Sequence, residues 1–192
     1  MRARLVAVVA LLFAAGCSTG TDAVVTGSQY EFVAPAGQTR ITYSGADRKP
    51  IAGLSGPDLM NEGRELSLAD FAGDVVVVNV WGQWCPPCRT EAAEMETLHD
   101  ELGESGVRVL GLDVRETSRQ APQDFVRDRQ LTYPSIYDES GRTLLAFRGY
   151  PPNVVPSTIV LDRAHRVAAV HLEPVLADDL RPLLAELAAE TA

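Results

Sequence analysis

The sequence predicts an α/β protein in which helices flank a central mixed β-sheet. A nearly continuous apolar run, Val75 to Trp81, is typical of a strand that is buried on both faces. Strand-like and helix-like segments then alternate, which indicates a parallel βαβ unit. Two short apolar segments near the C-terminus flank a polar turn, so they predict an antiparallel hairpin. Parallel and antiparallel pairs in one chain favour a mixed sheet.

The N-terminus has the pattern of an export signal that ends at a cysteine. Arg2 and Arg4 precede the uncharged apolar stretch 5–15, and Gly16 stands directly before Cys17. The stretch is too short to span a membrane, which takes about 20 apolar residues. The small residues before Cys17 resemble the lipobox of bacterial lipoproteins, in which cleavage before the cysteine accompanies lipid attachment to its sulfur. We therefore expect a lipidated Cys17, with ordinary secretion as the alternative.

These features divide the chain into three predicted parts. A signal peptide covers residues 1–16, and a flexible tether of small polar residues covers 17–29. A single catalytic domain covers 30–192, with its core at about 66–192. The length of 192 residues is sufficient for one well-packed domain.

The domain begins with two segments in which apolar and polar residues alternate. Tyr30 to Val33 and Thr39 to Tyr43 predict an added N-terminal β-hairpin, with Gly37 in its turn. Residues 44–63 contain several glycines and prolines and little periodicity, so we expect them to be irregular. Residues 66–71 then lead into the first core strand.

The run Trp84 to Cys88 follows the buried strand directly and contains two cysteines three positions apart. Residues Thr90 to Leu102 are typical of a helix, so the pair lies at a strand-to-helix turn. The positive N-terminal end of such a helix lowers the pKa of the first thiol, Cys85, and favours its thiolate. Pro86 and Pro87 are tolerated in a first helical turn and stiffen the segment between the sulfurs. This pattern predicts a redox-active pair.

Other interpretations of Cys85 and Cys88 are a structural disulfide, half of a zinc site, or two unrelated buried thiols. A structural zinc site needs four ligands, and no second paired spacing occurs among the remaining candidates, which are Cys17, His99, His165 and His171. A c-type haem attachment site needs histidine directly after the second cysteine, where this chain has Arg89. We expect no metal, and no cofactor other than a redox-active disulfide.

The rest of the chain continues the α/β pattern. In order, we expect a strand at 107–113, a helix at about 119–129, a short segment at 135–138, a helix at 141–147, hairpin strands at 157–161 and 167–170, and a helix at 176–189. The last helix is amphipathic, with leucines on one face. No internal repeat interrupts this order.

The chain is acidic, with a formal net charge of −9. It has no basic cluster, which argues against a nucleic-acid partner. The acidic surface also argues against charge-driven adhesion to anionic lipid, so acyl chains on Cys17 would be the membrane attachment. Disulfides persist outside the cytoplasm, and Cys85 and Cys88 can pair with one another once Cys17 is lipidated.

The order of elements and two motifs resemble the TlpA/ResA-like branch of the thioredoxin superfamily. The motifs are Val75 to Cys88, with Trp84 before the first thiol, and Val155 to Thr158 before the late hairpin. The resemblance covers about residue 66 to the C-terminus and implies a thioredoxin-like fold. Members of this branch are membrane-tethered, extracytoplasmic thiol-disulfide oxidoreductases. Trp81 to Cys85 is also similar to a segment of actinobacterial lipoproteins linked to cytochrome c maturation.

The resemblance implies a substrate-binding surface around the cysteines. Thioredoxin-like folds hold a proline in cis opposite the active-site sulfurs, and Pro156 occupies that position here. Val155 would then offer its backbone to the bound substrate chain. Trp84, together with Pro86 and Pro87, would complete the docking surface. Alternatively, Pro156 simply begins an edge strand.

The resemblance also directs attention to the acid that handles protons. Thioredoxins carry a buried acid six residues before the first cysteine, but this chain has Asn79 there. Glu91, three residues after Cys88, occupies the position at which ResA-like proteins have a glutamate. Burial beside two sulfurs would raise the pKa of this carboxyl and let it accept the proton of Cys88. The alternative is a solvated acid on the helix surface.

The implied chemistry is reduction of a protein disulfide in two steps. Cys85 attacks the substrate disulfide, and Cys88 then attacks Cys85 to release the reduced substrate. In the resembling family the substrate is apocytochrome c, and a CcdA/DsbD-type membrane thiol donor regenerates the dithiol. We therefore expect a protein of the cell membrane, lipid-anchored on its extracytoplasmic face, that acts in cytochrome c biogenesis.

Three other functions stay open at the level of the sequence. The same fold serves disulfide-forming oxidases, and Pro86 and Pro87 do not decide the direction. A peroxiredoxin is a weaker alternative because Cys85 lies in a paired motif. A copper chaperone would use the cysteines with His165 or His171, although the cysteine spacing is one residue shorter than in such proteins.

Overall fold

The computed structural model describes residues 29–33 and 37–190. The predicted signal peptide, Cys17 and nearly all of the predicted tether therefore lie outside the described residues, so they stay predictions.

The described residues form eight strands and three α-helices. The strands are β1 (Arg40–Thr42), β2 (Ser55–Pro57), β3 (Glu65–Ser67), β4 (Val75–Trp81), β5 (Val107–Val114), β6 (Ser135–Asp138), β7 (Ser157–Leu161) and β8 (Val167–His171). The helices are α1 (Pro86–Leu102), α2 (Gln120–Arg129) and α3 (Ala177–Ala189). Short 3-10 helices cover Leu68–Phe71, Gly103–Ser105 and Arg142–Ala146.

Six strands form one mixed sheet in the order β1-β8-β7-β4-β5-β6. Strand β4 lies inside it, parallel to β5 and antiparallel to β7. Strand β6 extends the parallel half, whereas β8 and β1 extend the antiparallel half. The predicted mixed sheet flanked by helices is confirmed.

Both faces of β4 are covered, which explains its apolar sequence. Val75 and Val77 pack with Met95 of α1 and Leu184 of α3. The alternate side chains, such as Val78, pack in a second core on the opposite face. Burying each valine contributes about 1.5–3 kcal/mol, so the strand is a rigid support for the loop that follows it.

The N-terminal segments are present, but they do not pair with each other as the predicted hairpin. The amide N–H of Phe32 donates to the carbonyl oxygen of Arg148 at 2.7 Å, and Glu31 forms a bridge with Arg148. Strand β1 pairs instead with β8 of the main sheet, with Ile41 opposite Val170. Phe32 and Ile41 both enter the main core, which buries more apolar surface than an isolated hairpin could.

The prediction that residues 44–63 are irregular is wrong for one part. Strands β2 and β3 form a separate two-stranded sheet, in which Gly56 pairs with Leu66. Each strand has only three residues, and β2 contains glycine and proline. Such a strand carries no recognisable periodicity, which is why the sequence pattern missed it.

Helix α1 begins at Pro86, earlier than the predicted start at Thr90. Pro86 and Pro87 occupy its first turn, as predicted, because their missing N–H groups would have no partner inside the helix. The helix predicted at 141–147 is a 3-10 helix at Arg142–Ala146. The late hairpin of β7 and β8 and the C-terminal helix are confirmed.

Candidate active site

Cys85 and Cys88 form a disulfide at the N-terminus of α1. The two sulfurs are 2.05 Å apart and the two Cα atoms are 5.3 Å apart. Both residues are buried, with exposed fractions of 2% and 1%. They contact Trp81 of β4 and Phe125 of α2 in a third apolar cluster. The predicted pairing of these cysteines is confirmed.

The start of α1 provides the polar surroundings of the first sulfur. Cys85 is the N-cap residue, and its Sγ lies 3.3 Å from the backbone nitrogen of Cys88. In the reduced protein, this N–H can donate to a thiolate at Cys85. The positive end of the helix favours the same negative charge. The local geometry therefore suits Cys85 to be the attacking sulfur.

The loop before β7 lies against the disulfide. The peptide bond between Val155 and Pro156 is cis, as predicted. The carbonyl oxygen of Val155 lies 3.8 Å from the Sγ of Cys85. Because Ser157 pairs with Val80 of β4, the sheet brings this loop beside the end of the strand that leads to the cysteines. A substrate chain that reaches Cys85 would also meet the backbone of Val155.

Glu91 lies in α1, three residues after Cys88, and it is buried rather than solvated on the helix surface. Its side chain is 2% exposed. One carboxyl oxygen accepts a hydrogen bond from Nδ2 of Asn79 at 2.9 Å, and the other accepts one from the backbone N–H of Val175 at 2.9 Å. Burial raises the pKa of Glu91, although these two hydrogen bonds oppose part of that increase. A carboxylate whose pKa is raised is a stronger base than an exposed glutamate, so it is better suited to accept a proton.

The two tryptophans near the cysteines have different surroundings. Trp81 is 1% exposed and its ring packs against Phe125, with 5.8 Å between the ring centroids. Trp84 is 44% exposed, and its Nε1 donates to the carbonyl oxygen of Val114 at 2.9 Å. Trp81 therefore belongs to the core, whereas Trp84 presents an aromatic surface beside the exposed Pro86 and Pro87.

The chain is similar in sequence to a known protein family and to named thiol-disulfide oxidoreductases. The sequence pattern of the AhpC/TSA family matches residues 50–170. The thiol-disulfide oxidoreductase ResA of Geobacillus thermodenitrificans is 30% identical over 132 residues, which covers 67% of this chain and 74% of the relative. This chain belongs to the AhpC/TSA family, in its ResA-like branch. The predicted resemblance to TlpA/ResA-like oxidoreductases is confirmed.

Two further comparisons show how much of the chain is similar to known proteins. ResA of Bacillus thuringiensis subsp. konkukian is 33% identical over 106 residues, which is 55% of this chain and 59% of the relative. A secreted thiol-disulfide isomerase from Corynebacterium glutamicum superposes with a TM-score of 0.82 at 43% identity. That superposition covers 84% of this chain and 99% of the other. The ResA-like chain thus shares the architecture of nearly the whole corynebacterial protein.

Two acids near the site of this ResA-like protein were missed by the sequence analysis. Asp113 ends the predicted second strand, and Glu116 follows it; both are buried. Glu116 accepts a hydrogen bond from the backbone N–H of Gln83, two residues before Cys85. Burial raises the pKa of both carboxyls, and the charge of Glu116 raises that of Asp113 further. Their position could have revealed them, because acids at the carboxyl end of a buried strand often lie at the functional site of an α/β protein.

Arg115 was also missed, because only the tertiary structure shows its contacts. Its backbone is left-handed, with φ of 58°. Its guanidinium donates to the carbonyl oxygen of Pro152, in the loop that leads to Val155. The segment after β5 therefore contacts both the cysteine loop and the loop of Pro156.

The histidines considered as copper ligands have other surroundings. The Nε2 atom of His165 lies 3.0 Å from the carbonyl oxygen of Phe71. His171 is buried at the end of β8, where burial lowers its pKa. Across residues 29–33 and 37–190, no three His, Cys, Asp or Glu side chains are arranged to hold a metal ion.

A cavity of about 270 Å³ opens beside the first turns of α1. Its lining consists mainly of proline and aliphatic side chains together with two acids, namely Pro87, Thr90, Glu91, Glu94, Pro174, Val175 and Leu176. Glu91 is among the lining residues, so the cavity adjoins the part of α1 that carries the buried carboxyl.

Proposed function

We propose that this protein is an extracytoplasmic thiol-disulfide oxidoreductase that reduces disulfides in exported proteins. The observation that carries the proposal is the buried Cys85–Cys88 disulfide, which lies at a helix N-terminus and against the carbonyl of Val155. Glu91, three residues after Cys88 in α1, is buried and has a raised pKa. A disulfide that only stabilised the fold would need neither a docking loop nor a proton acceptor.

In the first step, the Cys85 thiolate attacks one sulfur of the substrate disulfide. A mixed disulfide forms, and the other substrate sulfur leaves as a thiolate that takes up a proton. The N–H of Cys88 and the helix N-terminus favour the attacking thiolate. The carbonyl of Val155 would orient the substrate chain next to the sulfur.

In the second step, Cys88 gives its proton to the Glu91 carboxylate and attacks the Sγ of Cys85. The Cys85–Cys88 disulfide forms as the bond to the substrate breaks, and the second substrate sulfur leaves and is protonated. Two electrons have passed from the dithiol to the substrate. Glu91 can return its proton to solvent through the adjoining cavity.

The client and the electron donor are proposed on the resemblance of Trp81 to Cys85 to proteins of cytochrome c maturation. The substrate would be apocytochrome c, whose Cys-X-X-Cys-His segment must be reduced before haem attachment. A CcdA/DsbD-type membrane protein would reduce the Cys85–Cys88 disulfide after each turnover. The ResA relatives are named thiol-disulfide oxidoreductases, which supports disulfide exchange as the underlying chemistry.

Trapping of the mixed disulfide tests the client. The Cys88→Ala variant should hold its client on Cys85, so that non-reducing electrophoresis and mass spectrometry identify a c-type apocytochrome. The matched Cys85→Ala variant should trap none. Recovery of clients without a haem-binding motif would overturn the cytochrome assignment.

The reduction potential of Cys85–Cys88 tests the direction of electron flow. A reductase should have a potential near that of thioredoxin, about −270 mV, whereas an oxidase lies near about −120 mV. Equilibration with glutathione at a series of ratios gives this value. A potential at the oxidising end would assign the protein to disulfide formation instead.

We also propose that a lipid on Cys17 attaches the protein to the outer face of the cell membrane. The part of the chain that the structure describes contains no helix with the length and hydrophobicity to cross a bilayer. The Cys17→Ser variant should appear in the culture supernatant and lose incorporation of labelled fatty acid. Retention of this variant in washed membranes would contradict the lipid anchor.

A further inference from the structure

Asp113 is an acid buried without a conventional partner. It lies in β5 with an exposed fraction of 0%, and among the described residues neither of its carboxyl oxygens has an N–H or O–H donor. It pairs in the sheet with Trp81, four residues before Cys85. A carboxylate in such a place loses its hydration without compensation, so the neutral acid is favoured.

Glu116 is the carboxyl that Asp113 faces. Glu116 is 5% exposed and accepts a hydrogen bond from the backbone N–H of Gln83. The same strand end also accepts the indole N–H of Trp84, at the carbonyl of Val114. The end of β5 therefore holds the loop immediately before Cys85 at two points.

Two adjacent buried carboxyls do not both ionise, so the pair retains one proton. Burial and the charge of Glu116 raise the pKa of Asp113. The pKa of Glu116 is raised by burial, but the N–H of Gln83 opposes that increase by stabilising its charged form. The proton is therefore held by Asp113, which can donate it to Glu116, and the negative charge is on the side of the cysteine loop.

Among the described residues, no cation forms an ion pair with Asp113 or Glu116. Strand β6 and the residues before it contribute two tyrosines and one acid, which are Tyr133, Tyr137 and Asp138. The cations in this region bind elsewhere: Arg89 donates to the carbonyl oxygen of Gln83 and Arg115 donates to that of Pro152. Arg119, at the start of α2, lies over the ring of Tyr137. Its guanidinium donates to the carbonyl oxygens of Asp58 and Leu59 rather than to Glu116.

We propose that Asp113 and Glu116 are positioning residues that share one proton and hold one negative charge against the Cys85 loop. This charge disfavours the Cys85 thiolate and so opposes the helix N-terminus, which favours it. Destabilising the thiolate destabilises the reduced protein, which makes the dithiol a stronger reductant. The inference rests on the proposed role of Cys85 as the attacking thiol.

Two isosteric variants separate the two acids. In Glu116→Gln, the amide oxygen can still accept the N–H of Gln83, but the charge is gone. The acid dissociation constant of Cys85 should rise about tenfold, measured by thiolate absorbance against pH in a Cys88→Ala background. The equilibrium with glutathione should shift about tenfold toward the dithiol, equivalent to about 30 mV.

The Asp113→Asn variant should behave differently because its amide N–H can donate to Glu116 as the protonated acid does. The acid dissociation constant of Cys85 and the equilibrium constant with glutathione should both stay within about twofold of the parental values. Glu104→Gln, which removes an exposed acid, is the control for net charge. Unchanged constants in Glu116→Gln, or equal shifts in Asp113→Asn and Glu116→Gln, would overturn the proposal.

Unfolding curves of each variant in urea show whether an altered constant merely reflects an altered fold. The thiol titration and the glutathione equilibrium need no client. A failure to trap any client on Cys85 would therefore count against the proposed function. The role of Asp113 and Glu116 would still be tested by the titration and the glutathione equilibrium.

Discussion

At the scale of single residues, the proposed proton acceptor of this site lies on a helix rather than on a strand. Thioredoxins have a buried acid at the position of Asn79, whose amide cannot accept a proton at neutral pH. The Nδ2 of Asn79 instead donates to Glu91 on α1 and lies 3.3 Å from the hydroxyl of Thr158. Asn79 thus fixes the orientation of the carboxyl that we propose takes the proton of Cys88.

We predict that Glu91→Gln slows release of the mixed disulfide about 100-fold near neutral pH, because Cys88 then lacks its general base. Burial raises the folded-state pKa of Glu91, so the parent rate should fall as the pH drops through that value, which lies above the ordinary range of glutamate. The variant should lack this acidic limb. Single-turnover kinetics with a model peptide disulfide, measured across a pH series, gives both results.

The matched control is Glu104→Gln, which removes an exposed acid. It should keep the parental rate and the parental pH profile. A Glu91→Gln profile with the parental acidic limb would assign that limb to another group.

The site residues differ in how accessible they were to sequence reasoning. The local pattern revealed Cys85 and Cys88, and the resemblance to ResA-like proteins, which have a glutamate three residues after the second cysteine, pointed to Glu91. Asp113 and Glu116 act on the cysteine loop from a neighbouring strand. No local spacing links them to Cys85, so their place in the site required the sheet register.

At the scale of elements, three strand ends meet around the disulfide. Strand β4 leads into the cysteine loop, the end of β5 binds that loop, and β7 begins just after the Val155–Pro156 bond. Arg115 connects the last two by its hydrogen bond to Pro152. The loop geometry is therefore set by the register of the sheet and not by the loop sequence alone.

Gly82 permits the close approach of Trp84 within this arrangement. A Cβ atom at Gly82 would lie 2.4 Å from Nε1 of Trp84, closer than atoms can pack. We predict that Gly82→Ala displaces the indole from the carbonyl of Val114 and lowers the free energy of unfolding by about 1–3 kcal/mol. Tryptophan emission and urea unfolding report these two effects.

Gly45→Ala is the matched control, because a Cβ atom at Gly45 meets nothing within 4 Å. It should leave both the emission spectrum and the unfolding midpoint close to the parental values. A parental spectrum in Gly82→Ala would show that the indole does not depend on this contact.

At the scale of the whole molecule, buried charges join segments that are far apart in sequence. Arg48, 7% exposed, reaches Asp162 in the β7–β8 turn at 3.5 Å and Glu190 after α3 at 2.7 Å. Burial alone would raise the pKa of Asp162, but hydrogen bonds from Arg166 hold it below its usual range. This network connects the N-terminal segment to the C-terminal end of the domain.

We predict that Arg48→Met lowers the free energy of unfolding at neutral pH by about 2 kcal/mol, because Glu190 loses its guanidinium partner and Asp162 keeps only Arg166. The stabilisation due to Asp162 is present above the unfolded pKa and is lost as the pH falls through the lower folded pKa. The difference between variant and parent should therefore shrink in strong acid. Urea unfolding at neutral and acidic pH measures it.

Arg64→Met removes a comparable pair with Asp58 in which the arginine is 61% exposed. Its effect should stay below about 1 kcal/mol. An equal loss in the two variants would show that burial does not determine the strength of the Arg48 network.

The sequence alone determined the buried strand, the two cysteines at its end, the late hairpin and the spacing of Glu91. These features depend on local periodicity and on residues close together in the chain. The tertiary structure decided that Glu91 is buried against Asn79, that Glu116 binds the loop of Cys85, and that the N-terminal segments join the main core. Burial depends on which distant segments pack together, and the pKa of an acid depends on its burial and on the hydrogen bonds that it accepts. Local sequence fixed the sulfur pair, whereas long-range packing fixed its electrostatic surroundings.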